Sequence, residues 1–284
     1  MTTVEALVHG AVSTVNAIAT GNGATLGIDT FVKTRLETKD GKGIYITSDN
    51  RTISSRLINK VIENTVPKKQ LEKTRLELDF KSNIPTGYGL KSSSAISTAV
   101  AMVCSKAFKR DMNDKKILKI GVESSIQTKV SITGAYDDAC ACYYGGFVIT
   151  DNYNRKIIHS EKCLNRVSAV IFVPKSRKRG NIRKLKASSD IFEQAWNLAK
   201  KSDYWGAMNL NGLATSNILS SEPKIISELI ENGALGASVS GNGPSIAAIV
   251  QNDTIPKIKN VFSSLEGKTT VSQINNKKAE VHEL

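Results

Sequence analysis

The part of this sequence best suited to chemistry is a run rich in glycine and serine at residues 85–96. It reads Pro85, Thr86, Gly87, Tyr88, Gly89, Leu90, Lys91, Ser92, Ser93, Ser94, Ala95 and Ile96. Glycines let a backbone approach oxyanions closely, and a helix that begins within such a run offers unpaired N–H groups and a partial positive charge. The lysine and the serine hydroxyls add donors for phosphate oxygens or ligands for Mg²⁺. One serine suffices to cap a helix, so three in succession favour a phosphate-binding loop.

A pair of adjacent acids, Asp137 and Asp138, lies between glycines at residue 134 and residues 145–146. Two neighbouring carboxylates can bind Mg²⁺, or one of them can accept a proton from an attacking hydroxyl. An isolated aspartate in such a place more often caps a helix or turn. The residue types leave these roles open and do not say which acid would act.

Two further segments combine glycines with small polar residues. Residues 8–29 include His9, Asn16 and Asp29, and residues 236–245 include Ser240, Gly241 and Gly243. The asparagine and the aspartate can bind substrate hydroxyls, and equally they can cap turns. A histidine in such a segment is more often structural than catalytic, and a glycine-rich run alone is often an ordinary turn.

Apolar periodicity predicts the elements that must position these groups. A strand-like run at residues 76–80 leads into the glycine-rich loop, and a long apolar helical pattern follows it. Strands are expected at 4–8, 25–33, 43–48, 145–149, 167–173, 237–240 and 246–250, and helices at 52–64, 94–108, 113–127, 187–201, 204–219 and 223–232. The mixture predicts an α+β (mixed α/β) protein of two packed halves, 1–155 and 156–284.

The composition suits a protein that handles anions, because the 284 residues carry a formal net charge of +13. The densest basic cluster comprises Lys175, Arg177, Lys178, Arg179, Arg183, Lys184 and Lys186. No aromatic residue interleaves with it and no nucleic-acid-binding motif surrounds it, so nucleic acid is not the expected partner. Four irregularly spaced cysteines indicate neither a disulfide framework nor a zinc site. No apolar run reaches the ~18–20 residues of a membrane span and no signal peptide is apparent, so we expect a cytoplasmic protein.

The loop at residues 85–95 resembles the Pro-x-x-x-Gly-Leu-x-Ser-Ser-Ser-Ala signature of the GHMP kinases, named for galactokinase, homoserine kinase, mevalonate kinase and phosphomevalonate kinase. Its spacing differs from that of a P-loop. Most of the superfamily has glycine or alanine at the position of Lys91, and Gly-Leu-Lys-Ser-Ser-Ser-Ala is most similar to the archaeal type of shikimate kinase. The early His-Gly-Ala segment and the glycine run near residue 240 resemble the first and third motifs of the same superfamily.

This resemblance implies a two-domain GHMP kinase fold with the active site in the cleft between the domains. It also implies ATP-dependent phosphorylation of a small-molecule hydroxyl, namely the 3-hydroxyl of shikimate. Residues 85–96 would hold ATP, and Ser94 and Glu123 would hold Mg²⁺. The first and third motifs would meet the substrate through His9, Asn16, Asp29, Ser240, Gly241 and Gly243.

For the catalytic base, the resemblance indicates Asp137 or Asp138. Counting forward to the paired glycines favours Asp138, whereas the residues just after the acid favour Asp137. Lys91 would stabilise charge on the transferring phosphoryl group. Shikimate carries a carboxylate, which an arginine or lysine should bind. Arg177, Arg179 and Arg183 are candidates that the sequence does not rank.

Three alternatives stay open. The acceptor could be another hydroxylated metabolite such as homoserine or mevalonate. Transfer could proceed without a protein base, as in homoserine kinases. The chain could also be a non-catalytic regulator with this fold, or a nucleic-acid binder that uses its basic surface. The intact Ser-Ser-Ser and Asp-Asp motifs favour catalysis.

Overall fold

A computed structural model of the chain describes residues 1–49, 53–164, 166–176, 181–219 and 223–284. The strands are β1 (Thr2–Val15), β2 (Asn22–Asp40), β3 (Gly43–Ser48), β4 (Thr74–Ser82), β5 (Phe147–Asp151), β6 (Lys156–Glu161), β7 (Val167–Pro174), β8 (Gly236–Val239), β9 (Ile246–Gln251), β10 (Gly267–Gln273) and β11 (Glu280–Glu283). The helices are α1 (Ser55–Thr65), α2 (Lys68–Leu71), α3 (Ser92–Ala107), α4 (Asp114–Gln127), α5 (Tyr136–Tyr144), α6 (Ser189–Lys200), α7 (Tyr204–Leu219), α8 (Pro223–Glu231) and α9 (Ile255–Ser263), with 3₁₀ turns at Ile182–Ser188 and Asn252–Thr254.

The strands form two sheets. The first has the order β11-β1-β2-β4-β3, and β5 also pairs with β2 and with β6. Strand β2 spans 19 residues, so it can pair with β5 along its first part and with β4 along its second part. The second sheet has the order β10-β7-β9-β8. Within the described residues, β3 and β4 form the one parallel pair of these sheets.

Helix α3 is the central helix of the first half, and it positions the glycine-rich loop that precedes it. Almost all of its residues are buried, from Ser92 to Ser105. It packs on β1 and β2 on one side and on α1, α4 and α5 on others. A helix that is apolar or small on every face is suited to such a buried position. The loop before it is therefore fixed from behind by the core.

A second core lies against the second sheet. Phe192 of α6, Ile226 of α8 and Phe262 of α9 pack there against residues of β7, β8 and β9. Helix α7 contacts β8 and also β1, so it connects the two sheets. No helix among the described residues is both long enough and apolar enough to cross a bilayer.

The predicted fold class is confirmed: the chain mixes helices with two largely antiparallel sheets. Strands β1 and β2 are longer than the patterns at 4–8 and 25–33 predict. The division into halves near residue 155 stays a prediction, since the first sheet also takes in β6 and β11 from beyond that point. Strand β11 pairs with β1 and brings the C-terminal segment back to the first sheet.

Candidate active site

A cavity of about 340 Å³ lies where the glycine-rich loop meets the end of β1, the start of α5 and the loop after β8. Its lining includes parts of each of the predicted motifs: Asn16 from the first, Lys91 from the second, Asp137 and Asp138 from the acid pair, and Gly241 from the last. The structure therefore gathers four segments that are far apart in sequence around one space.

Half of the predicted phosphate loop lines this cavity: Gly87, Gly89, Lys91, Ser92, Ser93 and Ser94. Gly87 and Gly89 have φ values of 86° and 84°, in the left-handed region that favours glycine. At Gly89 a β-carbon would also lie 1.9 Å from the Ser240 carbonyl oxygen, so a side chain cannot fit there. The other predicted loop residues, Pro85, Thr86, Tyr88, Leu90, Ala95 and Ile96, support the loop from outside the lining, and Leu90, Ala95 and Ile96 are core residues.

The start of α3 is open to a ligand. Its N-cap residue is Lys91, at φ 67° and ψ 19°, and the Lys91 side chain makes no capping hydrogen bond. The three serines are thus the first helical residues rather than caps. The first amides of an α-helix have no partner within the helix, and they carry partial positive charge. Together with the serine hydroxyls they form an arrangement that suits a phosphate group.

The Lys91 ammonium is buried beside this helix start, and its side chain is only 4% exposed. It donates a hydrogen bond of 2.6 Å to Ser13 Oγ and lies 3.0 Å from Asp138 Oδ1. The backbone N–H of Gly241 also donates to Ser13 Oγ, at 3.0 Å. A β-carbon at Gly241 would lie 2.9 Å from Lys91 Nζ, so glycine leaves room for the ammonium. One lysine therefore links the phosphate loop to β1 and to α5.

The two acids have different partners. Asp137 Oδ1 accepts from Asn152 Nδ2 at 2.7 Å, and its Oδ2 accepts from Thr25 Oγ1 at 3.0 Å. Asp138 Oδ1 faces Lys91 and lies 3.3 Å from the same Thr25 hydroxyl. Burial and then the Asp137 charge raise the pKa of Asp138 to about 6, although Lys91 acts in the opposite direction. Both acids line the cavity, and Asp138 is the one that contacts the lysine.

The last glycine run closes the site from the second sheet. Ser240 Oγ donates to the Gly89 carbonyl at 2.9 Å and accepts from the Ser13 amide at 3.2 Å. Asn16 Nδ2 donates to the Gly241 carbonyl at 2.7 Å. Gly243 lies behind the lining, and its amide donates to the Ser240 carbonyl at 2.9 Å. These contacts hold the loops together. Of the four predicted substrate-binding residues named here, Asn16 and Gly241 line the cavity, whereas Ser240 and Gly243 do not.

His9 and Asp29 are not brought to the cavity lining. His9 Nδ1 lies 3.3 Å from Asp29 Oδ1 across the β1–β2 pair, and the Asp29 side chain is 58% exposed. Burial lowers the pKa of His9, whereas the Asp29 carboxylate acts in the opposite direction. Their predicted contact with substrate stays a prediction that this geometry does not favour.

Glu123 also lies away from the lining. Its Oε1 is 2.9 Å from Arg155 Nη1 and 3.8 Å from Lys119 Nζ. Ser125, two residues further along α4, does line the cavity. Two residues are about 200° apart around an α-helix, so the two side chains point in nearly opposite directions. The predicted metal role of Glu123 is therefore untested and unsupported by its position, whereas Ser94 does lie at the cavity.

The basic cluster lies partly outside the described residues, which include Arg183 but neither Arg177 nor Arg179. Ile182, next to Arg183, lines the cavity. Lys129, after α4, lines it as well. No motif pointed to this lysine, nor to the Ser13, Thr25 and Asn152 side chains that hold the charged groups. Polar residues within or just after a strand carry no local signal of such a role.

Comparisons with known proteins agree with the motifs. The GHMP kinases N terminal domain family matches residues 56–146, and the GHMP kinases C terminal family matches residues 207–266. A shikimate kinase of Methanobrevibacter smithii is 34% identical over 94% of this chain and 95% of its own length. A shikimate kinase of Methanosarcina mazei is 35% identical over 95% of this chain and 94% of its own.

Solved structures with low sequence identity share the fold. A homoserine kinase from Cytophaga hutchinsonii superimposes with a TM-score of 0.77 at 19% identity, covering 99% of this chain and 97% of its own. A Methanococcus jannaschii mevalonate kinase has a TM-score of 0.77 at 16% identity, covering 96% of this chain and 98% of its own. The predicted GHMP kinase architecture is thereby confirmed over nearly the whole chain.

Proposed function

This chain belongs to the GHMP kinase family, and we propose that it transfers the γ-phosphoryl group of ATP to the 3-hydroxyl of shikimate. The family makes it a small-molecule kinase with ATP as the phosphoryl donor. The choice of acceptor is supported by relatives named shikimate kinase, which match this chain almost from end to end at 34–35% identity. Within the site, the observation that carries the proposal is the Lys91–Asp138 pair beside the open start of α3.

Asp138 is the base in this proposal. Both acids line the cavity, but Asp138 contacts Lys91, whereas Asp137 is bonded to Asn152 and Thr25. The acceptor hydroxyl would give its proton to the Asp138 carboxylate while its oxygen attacks the γ-phosphorus, and the bond to the β–γ bridging oxygen would break to release ADP. A carboxyl whose pKa is raised to about 6 is a better proton acceptor than an ordinary aspartate, and it is still ionised at neutral pH.

Lys91 would act at the same moment. Before transfer, its charge is balanced by Asp138 at 3.0 Å. Once Asp138 has taken the proton, the ammonium loses that partner and its charge is available to the phosphoryl oxygens. Ser13 keeps the ammonium in place at 2.6 Å throughout. Phosphoryl transfer depends mainly on positioning and charge neutralisation, which these contacts provide without a large movement.

The triphosphate would lie against residues 87–94 and the first amides of α3. Mg²⁺, when bound, neutralises charge on the phosphates. It is commonly held by few protein oxygens together with phosphate oxygens and water, so the Ser94 hydroxyl at the cavity suits it. The described residues contain no cluster of three or more His, Cys, Asp or Glu side chains that would hold a metal unaided. We therefore assign the ion to Ser94 and the nucleotide.

The acceptor's carboxylate needs a cation. Lys91 is already paired, so we propose Arg183, next to the cavity-lining Ile182, as the described residue of the basic cluster that binds it. We place the reaction in the cytoplasm, where ATP is available. The basic cluster then serves small anions, and nucleic acid is not a partner in this proposal.

A coupled assay of ADP release tests the proposal with shikimate, homoserine, mevalonate and galactose as acceptors. Of the four acceptors, we expect only shikimate to cause ADP release. Mass spectrometry should identify the product as shikimate 3-phosphate. The Asp138→Asn variant, purified in parallel, measures the background from contaminating kinases. Turnover with homoserine or mevalonate but not shikimate would replace the acceptor. No turnover with any of the four, together with salt-sensitive binding of RNA or DNA, would replace the proposal with the nucleic-acid alternative.

A further inference from the structure

The two adjacent acids at the start of α5 have different partners, and Asp137 is buried whereas the Asp138 side chain is 17% exposed. Asp138 has the lysine, whereas Asp137 has neutral donors. From this division we propose that Asp137 is a positioning residue that holds Asp138 against Lys91 and strengthens it as a proton acceptor. The inference rests on the proposed function, in which Asp138 takes the proton of the acceptor hydroxyl.

Three hydrogen bonds hold Asp137, and a fourth holds its partner Asn152. Its carboxylate accepts from Asn152 Nδ2 and from Thr25 Oγ1, at 2.7 and 3.0 Å. Its backbone N–H donates to Asn152 Oδ1 at 3.0 Å, and Thr150 Oγ1 donates to that same oxygen at 2.7 Å. Gly23 makes room, because a β-carbon there would lie 2.5 Å from Asp137 Oδ2. The Asp137 side chain lines the cavity in this orientation and cannot leave it without breaking this set.

Asp137 lies in the first turn of α5, where the helix favours a negative charge. Its side-chain partners Asn152 and Thr25 are neutral, and none of the ion pairs within the described residues includes Asp137. A carboxylate makes a neighbouring carboxylate harder to ionise. After burial, the Asp137 charge is therefore the second cause that raises the pKa of Asp138.

The groups that act on Asp138 come from three elements. They are Asp137 and Cys142 from α5, Lys91 from the loop before α3, and the Thr25 hydroxyl from β2. Lys129 lines the same cavity, and the Ser13 hydroxyl accepts from Lys91. Burial raises the pKa of Cys142 well above its usual value, so that thiol stays neutral. Lys91 favours ionisation of Asp138, but burial and the Asp137 charge outweigh it.

The Thr25 hydroxyl can donate a hydrogen bond to either acid. Its hydroxyl lies 3.0 Å from Asp137 Oδ2 and 3.3 Å from Asp138 Oδ1, and a single proton can be donated to only one of them at a time. Removing the Asp137 charge should make Asp138 a weaker proton acceptor. Removing the Thr25 hydroxyl should make it a stronger one, because an ionised carboxylate then loses a donor. Two substitutions in contact with the same group thus have opposite expected signs.

The test measures the pH dependence of turnover for wild type, Asp137→Asn and Thr25→Val. Turnover needs ionised Asp138, so it is lost as pH falls through the pKa of that group, near 6. In Asp137→Asn the acidic limb should move to lower pH by about one unit, with turnover reduced less than in Asp138→Asn. In Thr25→Val the limb should move to higher pH. Asp151→Asn is the matched control, since that nearby acid bonds Asn154 outside the cavity, and its limb should stay in place.

A second readout does not need substrate. The ¹³C resonances of labelled aspartate carboxyls are titrated, and the Asp138 signal is assigned as the one missing in Asp138→Asn. Its titration should move down in Asp137→Asn and up in Thr25→Val. If wild type shows no shikimate turnover but these shifts occur, the proposed function fails and the coupling between the acids stands. An Asp138 titration that stays in place in a folded Asp137→Asn variant overturns the inference, whatever the activity.

Discussion

Two walls of the same cavity differ in how far their polar groups are already bonded. The catalytic wall, named for its proposed role, is formed by Ser13, Lys91, Asp137 and Asp138. It is mostly buried, and each of its side chains has a partner within about hydrogen-bond distance. The open wall, formed by residues 129–133, is largely exposed, with Val130 at 41% and Ile132 at 60%. Charges that are fixed beforehand need no reorganisation during reaction. An exposed loop can instead adjust to the molecules that enter. We therefore expect the catalytic wall to carry out the chemistry and the open wall to adapt to the substrates.

The largest expected effect is at the catalytic wall. Asp138→Asn keeps the size of the side chain but removes the proton acceptor and the partner of Lys91. We expect turnover to fall by about 10²–10⁴-fold, with little change in KM for ATP. Steady-state kinetics with shikimate measure both quantities, and thermal unfolding confirms that the variant is folded.

Two outcomes would contradict this assignment. Near-normal turnover in Asp138→Asn would mean transfer without a protein base, as in the homoserine kinase alternative. Recovery of the lost turnover at high Mg²⁺ would mean that the acid holds the metal instead. Asp111→Asn, an exposed acid outside the cavity, is the control that should keep wild-type turnover.

A smaller loss is expected at the start of α3, which lies between the two walls. Replacing Ser93 and Ser94 together by alanine removes two hydroxyls but leaves the backbone amides and Lys91. We expect turnover to fall about 10²-fold, the size typical of losing a transition-state donor. Ser105→Ala, near the end of the same helix, is the matched control and should keep its turnover. Wild-type turnover in a folded double variant would remove the serines from the phosphate site.

Features formed by neighbouring residues could be predicted from the sequence, whereas contacts between residues far apart in the sequence could not. The glycine-rich loop stood out because its glycines, its lysine and its serines are adjacent; it lines the cavity, and Gly87 and Gly89 adopt the positive φ that glycine favours. The fold class also followed from apolar periodicity. The Lys91–Ser13 contact, by contrast, joins residues 78 positions apart, and the Thr25–Asp137 contact joins residues 112 apart. A serine or threonine within a strand has no local pattern that reveals such a partner.

The direction in which a side chain points was the other feature that the sequence did not reveal. On α4 the sequence offered Glu123 as a metal ligand, yet Ser125 is the residue that reaches the cavity. In β1 and β2, His9 and Asp29 contact each other outside the lining. Both cases depend on which face of an element meets the cavity, and for α4 this follows from its packing on α3. The proposed choice of Asp138 over Asp137 likewise rests on a contact with Lys91 that the sequence does not show.

Two cations should separate the two substrates: Lys129 in the open wall, and Arg183 outside it, next to the cavity-lining Ile182. Lys129 follows α4, which packs on α3, the helix that begins at the glycine-rich loop, so we expect it to meet ATP. Arg183 is expected to meet the acceptor. Loss of one charge-assisted hydrogen bond should raise the relevant KM about tenfold. We therefore expect Lys129→Gln to raise KM for ATP and Arg183→Gln to raise KM for shikimate.

The pair of variants serves as its own control, because each should leave the other substrate's KM nearly unchanged. If Lys129→Gln raised KM for shikimate and Arg183→Gln raised KM for ATP, the assignment of the two cations to the substrates would be reversed. No effect of either variant would leave the basic cluster as solvated surface and would direct attention to Arg177 and Arg179, which lie outside the described residues.

The smallest expected effect is at Glu123. Its carboxylate pairs with Arg155 and Lys119 on a half-exposed surface, and such pairs contribute at most about 1 kcal/mol to the free energy of unfolding. Glu123→Gln should therefore lower stability slightly and leave the Mg²⁺ concentration for half-maximal turnover unchanged, whereas Ser94→Ala should raise that concentration. Titration of turnover with Mg²⁺ compares the two variants directly. A large rise in the requirement for Mg²⁺ in Glu123→Gln alone would show that the glutamate leaves Arg155 to bind the ion. The α4 face that now lies outside the cavity would then belong to the working site.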